Sequence, residues 1–109
     1  MGGKGYLGEF EQMVLLAILQ RGEEAFALEV RQELERSADR TVSRGAFYTT
    51  LDRLEQKGYV RWTKAKPDDA RAGAMRRFQV TEAGLEALRT SRAALQNLWR
   101  GLEDLLEGA

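Results

Sequence analysis

Residues 42–60 read Val-Ser-Arg-Gly-Ala-Phe-Tyr-Thr-Thr-Leu-Asp-Arg-Leu-Glu-Gln-Lys-Gly-Tyr-Val, and this stretch decides the fold. Ser43 is a good N-cap, since its hydroxyl can accept from one of the backbone N–H groups that a helix start leaves unpaired. Gly58 is a stop signal, so the residues between predict a helix from Arg44 to about Lys57. Turning 100° per residue places Phe47, Leu51 and Leu54 on one stripe. Gly45, Thr49, Asp52 and Gln56 lie opposite, with Tyr48 and Arg53 on the flanks, so the outer face is polar and carries an aromatic hydroxyl.

Toward the N-terminus, Thr41-Val42 is a short extended piece and Asp39 and Arg40 fill a turn. A helix fits Ala27 to Ser37, with Ala27, Leu28, Val30 and Leu34 inward and Glu29, Arg31, Gln32, Glu33, Glu35 and Arg36 outward. Before it, Glu9 to Gln20 reads as a helix ended by Arg21-Gly22, a cationic last turn and a glycine stop. Its run Met13–Leu19 is apolar in every direction around the axis, whereas a surface helix shows one stripe. It is expected to be buried on more than one side, either as a central core helix or with one side against a second subunit.

Toward the C-terminus, Tyr59–Thr63 and Arg77–Val80 are rich in β-formers, and the polar stretch between them holds the only proline, Pro67, and Gly73. This is a β-hairpin with a long tip, whose flanks and tip carry Arg61, Lys64, Lys66, Arg71, Arg76 and Arg77 against Asp68 and Asp69. Trp62 is assigned to the sheet face beneath it. Thr81 then caps a final helix through about Leu106, some 25 residues or about 38 Å. Leu85, Leu88, Leu95, Leu98, Trp99, Leu102, Leu105 and Leu106 recur along it at spacings of three and four, interrupted near Ser91 and Arg92. That is a helix–helix seam that nothing in a 109-residue monomer could cover, so a homodimer is expected.

Composition narrows the chemistry. The chain is 43% hydrophobic and 31% charged, as expected of one ordinary domain. It has neither cysteine nor histidine, which removes thiolate and imidazole metal sites, a cysteine nucleophile, Ser-His-Asp hydrolysis and a base titrating near neutrality. No enzyme activity, metal or cofactor is expected. The longest apolar stretch, Met13–Leu19, is too short for a membrane span, and residues 1–6 lack the apolar core of a signal peptide, so a cytoplasmic location is expected. The 17 Lys and Arg cancel the 17 Asp and Glu, but unevenly: residues 1–40 sum to −3, 41–60 to +1, 61–81 to +4 and 82–109 to −2. The basic middle between acidic ends suggests an anion-facing surface.

Helix, helix, capped helix, basic hairpin and long helix is the order of a winged helix-turn-helix domain (residues 1–81) followed by an oligomerisation helix (82–109) of the same compact unit. The fold class is mainly α with a small β-hairpin. In such a domain the third helix enters the major groove of double-stranded DNA and the wing grips phosphates. A winged-helix module that binds protein without DNA is the alternative, and its sign would be a wing lacking the basic surplus.

Three segments carry a family resemblance. Leu7-Gly8-Glu9-Phe10-Glu11-Gln12-Met13-Val14-Leu15-Leu16-Ala17-Ile18-Leu19 resembles the opening of PadR-family transcriptional regulators. The stretch 42–60 is similar to that family's recognition-helix signature, and Arg76-Arg77-Phe78-Gln79-Val80-Thr81-Glu82-Ala83-Gly84 resembles its wing and the start of its last helix. The resemblance implies a dimeric bacterial repressor of the shorter subtype, whose single C-terminal helix packs against the partner's first helix; the operator expected of such a two-fold dimer is an inverted repeat. It also implies that Tyr48 and Thr49 lie on DNA and that Arg76 and Arg77 belong to a basic wing. The chain departs from the family where many members have Gly-Gly and basic residues, carrying Ala72-Gly73-Ala74-Met75 instead.

The candidate DNA contacts are therefore Ser43, Arg44, Gly45, Tyr48, Thr49 and Arg53 on the helix and Lys64, Lys66, Arg76 and Arg77 on the wing. Gly45 either is merely tolerated in a first turn or lets the helix approach the DNA backbone closely. Asp52 and Glu55 are awkward beside phosphates; each accepts from cytosine, orients Arg53, or is only a solvated i,i+3 partner. Trp99 is either packed core or the centre of a cleft for a planar hydrophobic effector, with Leu95 and Leu102 on the same helical face and Phe10 or Met13 from the partner. The second possibility matches PadR-like regulators in which an aromatic on this helix lines such a cleft.

Overall fold

In the computed structural model, residues 7–64 and 76–107 are described. Helix α1 spans Glu9–Arg21, a 3-10 turn covers Gly22–Glu24, α2 spans Ala27–Ala38 and α3 Arg44–Gln56. Strands β1 (Val60–Lys64) and β2 (Arg76–Val80) follow, then α4 (Glu82–Trp99) and a short α5 (Asp104–Glu107). The fold is mainly helical with one hairpin, as expected.

The apolar run of α1 makes it the centre of the core. Val14, Leu15, Ala17 and Ile18 are buried against Val30 and Leu34 of α2, Phe47, Leu51 and Leu54 of α3, and Val60 and Phe78 of the hairpin. Leu16 and Leu19 are left outside, 50% and 43% exposed. A helix apolar all round thus serves the core with most of its circumference and presents the rest as an uncovered face.

Helix α2 is rotated relative to the expected orientation. Val30 and Leu34 are buried as predicted, but Leu28 is 52% exposed, and Glu29 and Glu33 are buried, so their assignments are reversed. The inward stripe is centred on Val30 and Leu34, and Leu28 lies 200° around the helix from Val30. Burial of a carboxylate requires partners, and Glu33 accepts from Arg21 Nε at 3.0 Å, Arg36 Nη2 at 3.4 Å and the Ser37 hydroxyl. The Ser37 hydroxyl, aided by Arg36 and Arg21, holds the Glu33 carboxyl below the usual glutamate range despite the cost of burial.

The hairpin is antiparallel, pairing Val60 with Val80, Trp62 with Phe78 and Lys64 with Arg76. On its other edge β2 bridges Phe26 to Arg77, and the Phe78 N–H donates to Ala25 O at 2.9 Å. Ala25-Phe26 therefore acts as a third edge, joining the wing to the entrance of α2. No signal in that two-residue link marks it as extended pairing.

Helix α4 is capped by Thr81, whose Oγ1 accepts from Gly84 N–H at 3.1 Å and donates to Gly58 O at 2.6 Å. Gly84 is required by contact. A Cβ there would lie 2.5 Å from Tyr59 O and 2.8 Å from Val80 Cγ1, so the helix presses directly on the turn between α3 and β1 and on the end of β2. Farther along, the buried Ser91 accepts from Leu7 N–H at 3.1 Å, which explains the polar interruption in the leucine seam.

The expected unbroken helix to Leu106 is not formed. Helix α4 ends at Trp99, Arg100 leaves the helical conformation in a turn, and Gly101 takes φ +83° before α5 begins. Glycine costs a helix about 1 kcal/mol relative to alanine, and here packing does not compensate, because Leu98, Leu102, Leu105 and Leu106 are all exposed. The Gly101 N–H instead donates to Glu103 Oε1 at 3.0 Å. Among the described residues no helix is long and apolar enough to cross a membrane.

Candidate nucleic-acid interface

Helix α3 is held from below and open above. Ser43 Oγ accepts from Ala46 N–H at 3.1 Å, forming the expected cap. Phe47, Thr50, Leu51 and Leu54 are buried, and Arg44, Gly45, Thr49, Asp52, Arg53 and Gln56 are exposed along the outer face. A Cβ at Gly45 would meet open space, so nothing among the described residues demands glycine there. Tyr48 is half-buried, its ring edge-on to Phe47 at 5.4 Å between centroids, so it belongs to the margin of the exposed face.

A strut joins this helix to the wing. Trp62 Nε1 donates to Glu55 Oε2 at 3.1 Å, which gives Glu55 a structural partner not among those considered from sequence. Trp62 is half-buried rather than sunk beneath the sheet, and the Arg76 guanidinium lies over its ring at 4.9 Å. Stacking engages the flat face of the guanidinium and leaves its N–H edge for an anion. Lys64 is directly opposite Arg76 across the hairpin. Like charges in that relation destabilise a sheet, and an anion between them would relieve the repulsion.

The two faces of the hairpin differ. Side chains alternate along a strand, so Lys64, Arg76 and Trp62 share one face while Arg61, Arg77 and Gln79 share the other. Arg77 pairs with Glu23 at 2.8 Å and Arg61 Nε donates to Gln79 Oε1 at 3.0 Å. The adjacent arginines thus separate, Arg76 with the α3 side and Arg77 with the end of α1. Lys66, with the tip residues Arg71 and 72–75, lies outside the described residues.

The other predicted set is divided. Leu95 and Trp99, 51% and 38% exposed, line a groove of about 350 Å³ together with Leu85, Leu88 and Leu16 of α1. Phe10 and Met13 of the same subunit are elsewhere: the Arg40 guanidinium sits over the Phe10 ring at 5.2 Å, and Arg40 Nη1 lies 3.8 Å from Met13 Sδ. Leu102 lies beyond the end of α4, so the shared helical face expected for residues 95, 99 and 102 does not exist.

Glu11 was not singled out from sequence. It is nearly buried, accepts from Gly8 N–H at 2.9 Å through Oε1 and pairs with Lys57 Nζ at 2.8 Å through Oε2. Burial pushes its carboxyl up, but the Lys57 ammonium, the Gly8 N–H and the nearby Arg53 charge together hold it below the usual glutamate range. The available signal was its place three residues after the N-cap Gly8, the carboxylate half of a capping box.

The chain matches the transcriptional regulator PadR-like family over residues 15–90. No curated protein matches it. Among solved structures, a PadR-like transcription factor from Bacteroides fragilis superposes with a TM-score of 0.70 at 21% identity, covering 88% of each chain. RosR of Halobacterium salinarum, grown from NaBr, gives 0.66 at 23% identity, covering 94% of this chain and 92% of that one. A structure described as the complex of hsRosR-S1 gives 0.69 at 24% identity, covering 98% of this chain and 88% of that one. These likenesses show the same fold, with the hairpin placed as a wing beside the third helix. With the family matched over most of its length, the chain belongs to the PadR-like family of transcriptional regulators, which are not enzymes.

Proposed function

We propose that this protein is a dimeric, sequence-specific DNA-binding repressor. Helix α3 enters the major groove with Arg44, Thr49 and Arg53 toward base edges and backbone, Tyr48 at the margin and Gly45 permitting close approach. Ser43 contributes by capping. The observation that carries the reading is the Lys64–Arg76 pair, two cations facing each other across the wing and braced toward α3 through Trp62 and Glu55. Lys66, two residues after Lys64 in the sequence, adds positive charge to the wing, and Arg77 adds its own from the opposite face on leaving Glu23.

The dimer forms through the exposed face of α4 and Leu16 of α1, because the exposed Leu16, Leu95 and Trp99, continued by the half-buried Leu85 and Leu88, gain about 25 cal/mol for each Å² of apolar surface removed from water. A planar apolar effector occupies the groove beside Trp99, with Leu95 on the same helix and Phe10 or Met13 supplied by the partner. Induction follows where the effector binds better to a dimer whose two α3 helices are wrongly spaced for successive major grooves.

Selection of random duplexes on the purified protein, followed by sequencing, tests the reading. Enrichment of an inverted repeat is expected. Absence of any enriched duplex would overturn it in favour of a protein-binding winged helix.

A further inference from the structure

Helix α4 is fixed to the rest of the domain at two points along its length. At Gly84 it rests on Tyr59 O and Val80 with no room for a methyl group, and at Ser91, about two turns on, its hydroxyl receives the Leu7 N–H. Leu7 is buried, and the following residue, Gly8, donates its N–H to Glu11 Oε1. The other oxygen of Glu11 takes Lys57 Nζ, at the C-cap of α3. Three hydrogen bonds therefore run from the middle of α4, through the entrance of α1, to the end of α3.

We propose that Glu11 is a positioning residue that couples the placement of α4 to the presentation of α3 through the path Ser91, Leu7-Gly8, Glu11 and Lys57. The proposal rests on α3 being the helix that reads DNA. A nearly buried carboxylate whose two oxygens are engaged in different directions acts as a bracket. Losing either partner leaves the charge poorly solvated, so keeping both contacts is favoured. Tilting α4 about Gly84 moves Ser91, and with it Leu7 and Gly8; the bracket passes that movement to Lys57 and to the last turn of α3, where the Lys57 N–H is bonded to Arg53 O. Glu11 also feels the charge of Arg53 itself, a candidate DNA contact. The polar path thus links the face where two subunits or an effector would act to the helix that meets the duplex.

The test is amide hydrogen exchange on the full chain combined with duplex titration, for Ser91→Ala, Glu11→Gln and the double variant. Ser91→Ala should speed exchange at the Lys57 and Gly58 N–H groups about five- to tenfold, and should add little once Glu11→Gln is present. Each single variant should bind a selected duplex about five- to tenfold more weakly, and the double no more weakly than either. If Glu11→Gln does not fold, Lys57→Met, made at a half-exposed side chain, replaces it in the same cycle. Equal effects of Ser91→Ala in both backgrounds, or effects confined to residues 7 and 8, would overturn the coupling. Unchanged duplex affinity in a protein that binds DNA would overturn the positioning role. Coupled exchange in a protein that selects no duplex would instead uphold the bracket and refute the DNA-reading assignment.

Discussion

Arg76 and Arg77 follow one another in β2 and face opposite ways, Arg76 stacked at 4.9 Å over Trp62 and Arg77 paired at 2.8 Å with Glu23. Sequence reading treats them as one basic pair; the pleat makes them two residues with different partners. Arg76→Ala should weaken binding to all duplexes alike and reduce the slope of log affinity against log salt by about 0.9, the value for one lost phosphate. Glu23→Ala removes the carboxylate that competes for Arg77 and should strengthen binding. Salt-dependent titrations check both, and weaker binding by Glu23→Ala would show that the ion pair positions the wing.

Gly84→Ala should destabilise the domain by about 1–3 kcal/mol, as expected of overpacking at a site that cannot yield. The obstacle is the backbone carbonyl of Tyr59, which is itself held by the Thr81 N–H at 3.0 Å. Thr81→Ala, which removes only the cap, should cost about 1 kcal/mol. Urea denaturation monitored by circular dichroism compares them.

Stability should fall in acid. The Glu11 and Glu33 carboxyls are both held below the ordinary value in the folded chain. Each therefore contributes stability that is present above the unfolded value, about 4.3, and is lost as pH falls through the lower folded value. Glu11→Gln should cost about 1 kcal/mol at neutral pH and leave a shallower decline between neutral pH and acid. Denaturant midpoints across pH give the slope, and an unaltered slope would show that Glu11 does not contribute to it.

The face shared by Leu16, Leu95 and Trp99 should hold two subunits together. Leu16→Glu or Leu95→Glu leaves the buried core untouched, since both side chains are about half exposed, and should yield a folded monomer by light scattering. Trp99→Ala should abolish the fluorescence quenching produced by planar aromatic compounds; equal quenching in the variant would place the ligand elsewhere.

Local chemistry within the chain was enough to determine most of its elements. The Ser43 and Thr81 caps, the Phe47, Leu51 and Leu54 stripe and the hairpin strands are each set by neighbours a few residues away, and each forms as the residues predict. The family signature around the recognition helix was legible for the same reason, being a run of adjacent residues. What the tertiary structure decided is which side each element turns inward and which distant groups meet. Glu33 is buried and Leu28 exposed because the packing of α2 on α1 sets the helix phase and supplies Arg21 from another element. The helix expected to reach Leu106 stops at Trp99 because, without a packed surface to offset Gly101, periodicity alone does not sustain it. Trp62 meets Glu55, Arg77 meets Glu23, and Glu11 meets Lys57 across 46 residues of chain. Hydropathy periodicity carries no information about such pairs, because a charged side chain reads as outward until the fold brings it a partner that makes burial tolerable.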